Sequence, residues 1–407
     1  MTRAKRLFAY AYGVIKLTIA YLYVNIFRRD IYKKDIWLIA EKRTEARDNA
    51  YELFKYIRQH HPGTNAYFII SKNSSDLKKV EVWGNVVFND SFKHFVYFVA
   101  AKFNIGSQPQ GAGPSMFRNR GLRIANFFRS RNKYHINIKH GIIKDMHGMQ
   151  KFDGCELISC ATKREQEFLI KICGLAEERV PLLGLCRFDA LHNTQDKILK
   201  QILIMPTFRS WLKPGNTAQM ATITETKNFM MSEYFLSFSS LLASKRLKDL
   251  LARFGYKVVF YPHYSMQGYI HLFKKYSSEN VVIADRDNYD VQDLLINSAT
   301  LITDFSSVFF DFAYMYKPII YFQFDGIKFR ERHYAEGYFN YERDGFGPVT
   351  HTMNELLDAL EHYLEFGAVP QEEYIQRSRD FFTLRDTRNC ERVFGAISNL
   401  DLRLRND

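Results

Sequence analysis

Residues 302–325 read ITDFSSVFFDFAYMYKPIIYFQFD. An apolar strand over Thr300 to Thr303 breaks at Asp304-Phe305-Ser306-Ser307. Apolar residues then recur at helical spacing through Phe309, Phe310, Ala313 and Met315, and a second strand runs from Pro318 to Phe324. This is a β-turn-α-β unit. Ser306 and Ser307 fall at the first turn of its helix, where unpaired backbone N–H groups and the positive end of the helix dipole favour an anion. A phosphate fits that position, and so does the simpler role of Ser306 as an N-cap.

The same alternation extends outward in both directions. Upstream, strand Gln201 to Pro206 ends in Thr207-Phe208-Arg209, and a Leu/Phe stripe predicts a helix around Leu236 to Phe254. Strand Lys257 to Tyr261 delivers Pro262-His263-Tyr264, and strand Val281 to Asp285 delivers an acidic turn. Further upstream, IWLIAEK from Ile36 reads as a strand and is followed by a helix starting near Thr44, with Ala46, Ala50, Leu53, Phe54 and Ile57 on one face. Strands are expected at Ala66 to Ile70 and Val86 to Phe88, then a helix over Phe92 to Lys102 and a basic, Gly- and Arg-rich loop from Gly106 to Arg131. Strand His135 to Lys139 runs straight into His140-Gly141-Ile142-Ile143-Lys144. That places a histidine at the carboxyl end of a parallel strand, where open α/β sheets bind ligands. An imidazole there titrates near neutrality and is able to take a proton from an attacking hydroxyl, although an ordinary hydrogen-bonded loop histidine reads the same way. Strands at Leu157 to Cys160 and Val180 to Leu183 lead to Gly184-Leu185-Cys186-Arg187-Phe188-Asp189, and three helices near Asn354 to Phe366, Gln371 to Phe382 and Arg388 to Leu400 close the chain. The expected division is a membrane-associating segment (1–34), a Rossmann-like acceptor domain (35–195), a Rossmann-like donor domain (196–370) and C-terminal helices packing back across the domains (371–407).

The 407 residues, 46% of them hydrophobic, suffice for two domains, and 57 Lys+Arg against 44 Asp+Glu leave a net charge of +13. Phosphates, nucleic acid or an anionic membrane face are the partners this balance favours. The five cysteines are odd in number and show neither CxxC nor zinc spacing, so they read as reduced, mostly buried thiols, with no structural metal. Leu7 to Phe27 is almost wholly apolar or aromatic and has basic residues on both sides. Lys16 near its middle and four tyrosines suit a helix lying in a membrane interface better than a span. A helix packed on the protein itself is the alternative.

Two βαβ series thus present His140 and Lys144 at one set of strand ends, and Arg209, His263 and Ser306/Ser307 at another. Two such edges facing across a cleft is the GT-B plan. The chain resembles the CDP-glycerol:poly(glycerophosphate) glycerophosphotransferases of teichoic acid synthesis and their capsule-forming relatives. The motifs that carry the resemblance are Glu41 with Ala46-Arg47-Asp48-Asn49, His140-Gly141 with Lys144, Gly184 to Asp189, Pro206-Thr207-Phe208-Arg209, Pro262-His263, Asp304 to Asp311 with Lys317-Pro318 and Asp325, Gly347-Pro348, and Cys390-Glu391-Arg392. The resemblance implies transfer of a polyol phosphate, from CDP-glycerol or CDP-ribitol, to a hydroxyl of a lipid-linked glycan or growing polymer, releasing CMP. It implies that His140 is the general base and that His263 contacts the donor phosphates, here in Pro-His-Tyr order where many relatives have His-Pro. Phosphoryl transfer asks chiefly for donors around the nonbridging oxygens. Ser306, Ser307, Arg209 and His263 are of the right type to supply them without a metal or cofactor, with Asp304 beside them. Asp311 is a candidate for a ribose hydroxyl or an ordinary helix residue, Lys144 and the basic loop are candidates for an anionic acceptor, and Arg187 and Arg209 are equally candidates for interdomain salt bridges. The expected location is the cytoplasmic membrane face, held peripherally, and a homo-oligomer is compatible with the sequence. Two other readings compete: a GT-B glycosyltransferase using a nucleotide sugar, and a non-enzymatic basic protein binding nucleic acid or tethering a complex to the membrane. The second lacks any RNP-like or helix-turn-helix signature, and nucleic acid is not an expected partner.

Overall fold

The computed structural model describes residues 3–108, 111–115, 133–146, 152, 154–192, 194–215 and 220–400, with side chains described from residue 8 onward. Most of the expected basic loop (116–131) lies outside the described residues. The chain forms two units, one made of Met1–Ile142, Gly148–Ala190 and Asp386–Asp407, the other of Ile143–His147 and Leu191–Arg385.

The first unit is built on six described strands: β1 (Trp37–Ala40), β2 (Ala66–Ile70), β3 (Val86–Phe88), β4 (Phe103–Gly106), β5 (Tyr134–Asn137) and β6 (Leu157–Ile158). All pairings are parallel, in the order β3-β2-β1-β4-β5-β6. This is the doubly wound arrangement, with its order reversing between β1 and β4. The strands read as short continuous apolar runs because helices cover both faces. On one face, Ala50, Leu53, Phe54 and Ile57 of helix Asn49–His60 and Val393 and Ile397 of helix Asn389–Ser398 fill the core. On the other, Leu17, Ala20 and Val24 of helix Arg3–Phe27 pack with Phe95, Val96 and Val99 of helix Phe92–Ala100. Val180–Leu183 contributes a single parallel bridge, Cys160 to Leu182, instead of the expected strand.

The second unit repeats the plan with β7 (Leu199–Ile204), β8 (Lys257–Phe260), β9 (Val281–Ile283), β10 (Ser298–Thr303), β11 (Ile319–Phe322) and β12 (Val349–Thr350), again parallel, in the order β12-β11-β10-β7-β8-β9. Its order reverses between β7 and β10. The expected long helix around 236–254 is two, Glu233–Ala243 and Lys245–Phe254, because Ser244 takes an extended backbone and its hydroxyl caps the second by accepting from the Leu247 N–H at 3.3 Å. Lys317 is buried, and its ammonium donates to the carbonyls of Leu295, Ile296 and Ser298 at 2.6–3.0 Å, closing the end of helix Val291–Asn297.

The Gly184-to-Asp189 motif has a structural job in the first unit. Asp189 accepts from the N–H groups of Asn389 (2.9 Å) and Cys390 (2.8 Å), capping helix Asn389–Ser398 across 200 residues of sequence. Gly184 sits at φ +83°, and a Cβ there would lie 1.7 Å from Asn389 Oδ1, so only glycine fits. None of the five cysteines is in a disulfide, and four are buried.

Candidate functional site

In the first unit the site grows from the end of β5. Asn137 Oδ1 accepts from the Lys139 N–H (2.9 Å), and Asn49 Nδ2 donates to the Lys139 carbonyl (2.9 Å). Lys139 is thereby held at φ +55°, a left-handed conformation unusual for a side chain of its size. Its buried ammonium is paired with Glu165. This kink turns His140 outward, with 64% of its side chain exposed.

His140 Nδ1 is hydrogen-bonded to Asp48 Oδ2, and the other Asp48 oxygen accepts from Arg187 Nη1 at 2.9 Å. Arg187 Nη1 also reaches the His140 carbonyl (2.5 Å), and the Arg187 N–H donates to Asn49 Oδ1 (3.0 Å). Since Asp48 is ionised, Nδ1 carries the proton, which leaves the Nε2 lone pair on an exposed ring. That is the orientation of a general base backed by a carboxylate. Burial opposes the Asp48 charge, but His140 and Arg187 outweigh it and hold the carboxyl down at about 2.

Asp48 is the N-cap residue of helix Asn49–His60, yet its side chain makes no capping bond. Glu41, at the end of β1, takes that role by accepting from the N–H groups of Arg47, Asp48 and Tyr51, each at 2.8 Å. Burial, reinforced by the Asp48 charge, pushes Glu41 up to about 8 against those three donors. The helix therefore starts at Asn49, five residues after the expected Thr44, and the turn between is fixed by Glu41. Asp48 and Arg187 are thus members of the site that sequence reasoning did not bring to His140. The one local sign was an Asp at a helix start.

In the second unit, three adjacent strand ends converge. Asp304, after β10, accepts from the Thr207 N–H (2.8 Å) and the Phe305 N–H (2.6 Å). Arg209, after β7, donates to Asp304 (2.8 Å) and in a two-pronged pair to Asp325 (2.7 Å each), beyond β11. The guanidinium lies between the rings of Tyr234, Phe305, Phe324 and Phe329, 5.0–5.7 Å from their centroids. Arg209 and Asp304 are both fully buried, and their ion pair helps lock the strand ends together. Arg209's salt bridges lie within one unit, where the sequence suggested interdomain ones. Asp311 is likewise buried. Lys144 belongs to the second unit, where it is buried against Asp145, which also pairs with Arg330 at 2.6 Å.

His263 and the serines remain accessible. His263, after β8, stacks on Phe208 (centroids 4.7 Å apart, 28° between planes), and its Nδ1 accepts from the Ser265 N–H at 3.2 Å. In the neutral ring that assigns the proton to Nε2, a donor suited to a phosphate oxygen. Ser306 and Ser307 are half-buried in the turn before helix Phe309–Tyr314, not in its first turn as the sequence predicts; Ser306 Oγ accepts from the Val308 N–H at 3.5 Å.

Comparison with known proteins agrees with this architecture. Residues 21–399 match the family model described as CDP-Glycerol:Poly(glycerophosphate) glycerophosphotransferase. The chain is 31% identical over 373 residues to the minor teichoic acid biosynthesis protein GgaB of Bacillus subtilis (strain 168), covering 91% of this chain and 40% of that protein. It is 28% identical over 156 residues to the teichoic acid ribitol-phosphate primase of Bacillus spizizenii, covering 38% of this chain and 37% of the primase. Among solved structures, the wall teichoic acid polymerase TagF superposes with a TM-score of 0.66 at 17% identity, covering 99% of this chain and all of that one. The fold is therefore α/β and GT-B-like, with two Rossmann-type sheets in one chain.

Proposed function

Because this chain belongs to the CDP-glycerol:poly(glycerophosphate) glycerophosphotransferase family, we propose that it transfers a polyol phosphate from a CDP-polyol to a hydroxyl of a lipid-linked glycan or a growing teichoic acid or capsule polymer. Glycerol phosphate is the first choice of transferred group, and CMP is the leaving product. The observation that carries the reading is the carboxylate-backed imidazole: His140 with Nδ1 on Asp48 and an exposed Nε2.

His140 Nε2 takes the proton from the acceptor hydroxyl as its oxygen attacks the β-phosphorus. The new P–O bond forms as the bond to the bridging oxygen breaks, and that electron pair leaves on CMP. His263 and the Ser306/Ser307 turn serve the donor phosphates, on strand ends that the Arg209 ion cluster keeps in register. Preorganised donors of this kind lower the barrier because they need no reorganisation as charge shifts.

Helix Arg3–Phe27 fits a peripheral membrane location. Phe8, Tyr12, Ile15, Ile19, Leu22 and Ile26 form an exposed stripe, while Leu17, Ala20 and Val24 face its own unit. A helix fastened along one side to helix Phe92–Ala100 suits lying in the interface better than crossing it, with Arg28, Arg29, Lys33 and Lys34 toward anionic headgroups. We place that surface at the cytoplasmic face, where nucleotide donors are found.

The test is CMP release from CDP-glycerol and CDP-ribitol, and UDP release from UDP-glucose, with a lipid-linked acceptor analogue, for the native chain and His140→Ala. CMP from one CDP-polyol, lost in the variant, is the expected result and names the donor. UDP release without CMP would make the chain a glycosyltransferase.

A further inference from the structure

We propose that Glu41 is a positioning residue: by taking the N–H groups at the start of helix Asn49–His60, it leaves the Asp48 carboxylate free to hold His140. The inference rests on reading His140 as the base. Asp48 is the N-cap residue and has the extended backbone of one, with φ −139° and ψ −166°. From that conformation an Asp side chain ordinarily accepts from the N–H two or three residues on, here that of Ala50 or Tyr51. The Tyr51 N–H instead goes to Glu41 Oε1 at 2.8 Å, which also takes the Asp48 N–H, while Glu41 Oε2 takes the Arg47 N–H. Two carboxylates thus compete for one donor, and Glu41 holds it. Asp48 is left to meet the His140 ring.

Glu41 is buried, and among the described residues all of its hydrogen bonds go to these three backbone groups. The turn that leads to the helix has ties of its own. Asp76 accepts from the Ala46 N–H at 2.9 Å and pairs with Arg47 at 2.7 Å, and the Ser74 hydroxyl donates to the Thr44 carbonyl at 2.8 Å. Without Glu41 those ties remain, but the Tyr51 N–H keeps only its turn contact to the Asp48 carbonyl, 3.0 Å. A buried N–H that loses its acceptor is costly, whereas an ion pair with a largely exposed ring is worth little. The Asp48 carboxylate therefore turns to the helix and leaves His140.

The experiment reads which ring nitrogen of His140 carries the proton, by nitrogen-15 NMR of the full histidine-labelled chain at alkaline pH, with His140→Ala assigning the resonances. This readout needs no substrate, so its failure is distinct from failure of the proposed reaction. Native His140 shows the proton on Nδ1. In Glu41→Ala it moves to Nε2, because Nδ1 has lost its acceptor. Glu41→Gln, whose Oε1 still accepts from Asp48 and Tyr51, keeps the native pattern. In CMP release, kcat of Glu41→Ala falls by about tenfold or more at unchanged KM for the donor, within the roughly 10²-fold that a general base contributes. Glu41→Ala combined with Asp48→Asn falls no further than Asp48→Asn alone, since both act through one pair. A native proton position in Glu41→Ala, or losses that multiply in the double variant, would make Glu41 a helix cap only and overturn the proposal. Should Glu41→Ala not fold, Glu41→Asp keeps the charge but withdraws it by one methylene from the Tyr51 N–H. The same move of the ring proton is expected there, and its absence refutes the coupling.

Discussion

Replacing Asp48 by Asn is the most direct test of the first unit's site. The shape is kept, but the charge that stabilises an imidazolium at His140 is lost, and the amide is able to donate to Nδ1 and so place the ring proton on Nε2, the wrong nitrogen for a base. A contact ion pair at an effective dielectric near 20 amounts to about 4 kcal/mol. His140 has 64% of its side chain in solvent, and we discount that figure to about 3 kcal/mol, which corresponds to a roughly 10²-fold loss of kcat. The variant should keep its KM for the CDP-polyol, because Asp48 belongs to the first unit and the residues proposed to meet the donor, His263, Ser306 and Ser307, belong to the second. Steady-state CMP release against donor concentration measures both constants. Stability changes in a known direction too. Asp48 is held at about 2 in the fold against an ordinary 3.8, so its contribution of about 2 kcal/mol is complete above pH 3.8 and lost as pH falls through 2. A kcat within threefold of native, in a variant with a normal unfolding curve, would refute the role of Asp48 and with it the argument for His140 as base.

Three further outcomes follow from the second unit, from a buried histidine and from the N-terminal helix. Arg209→Met strands the buried carboxylates of Asp304 and Asp325 without their counter-ion, costing about 3–5 kcal/mol. The thermal midpoint of the second unit should drop by roughly 10 °C, and a drop under 2 °C would show that the cluster is dispensable. His94 is fully buried as a neutral ring, with Nδ1 accepting from the Asp90 N–H (3.0 Å) and Nε2 bonded to the Ala112 carbonyl (2.7 Å); burial lowers it to about 4. The unfolded chain takes up this proton near pH 6.5 and the native one only near 4, so stability rises with pH across that window. Between pH 5 and 7 the gain is about 2 kcal/mol, read by urea unfolding; a slope that persists unchanged in His94→Gln would assign it elsewhere. Finally, Ile15→Lys with Ile19→Lys breaks the exposed stripe without touching the packed face, and should abolish co-sedimentation with anionic vesicles while leaving turnover of a soluble acceptor intact. Undiminished vesicle binding would remove the helix from the membrane reading.

What the sequence made legible was whatever is written locally. The strand-turn-helix-strand pattern around 300–324, the helices at the C-terminus and the histidine at the end of β5 all depend on spacing within a dozen residues, and each is present. The strand order β3-β2-β1-β4-β5-β6 is not written locally, because a parallel sheet is assembled by crossovers. Site partners were hidden for the same reason. Asp48 lies 92 residues from His140 and 139 from Arg187, and Arg209 lies 95 and 116 residues from its two carboxylates. Arg209's two carboxylate partners were not legible because a cation after a strand looks the same whether it meets a phosphate or a buried aspartate. Asp48 was missed because an Asp before a helix is ordinarily a cap.

The displaced cap shows how these two kinds of information meet. A helix start needs an acceptor for its free N–H groups, and local rules assign that work to Asp48. The structure turns Asp48 away toward His140 and Arg187, and gives the N–H groups to Glu41, buried at a cost that its raised pKa records. A fold seldom moves a capping carboxylate and buries a second one unless the first is needed elsewhere. The second unit shows the complementary arrangement: its charges, Arg209 with Asp304 and Asp325, are paired inside the protein, and the Ser306/Ser307 turn and His263 lie at the accessible edge. On the proposed mechanism, the first unit thus exposes the group that takes the proton, His140. The second fixes its frame with ions, and on the same proposal its serine turn meets the donor with dipoles, which stabilise a phosphate as its charge is redistributed without holding CMP so tightly that release is blocked.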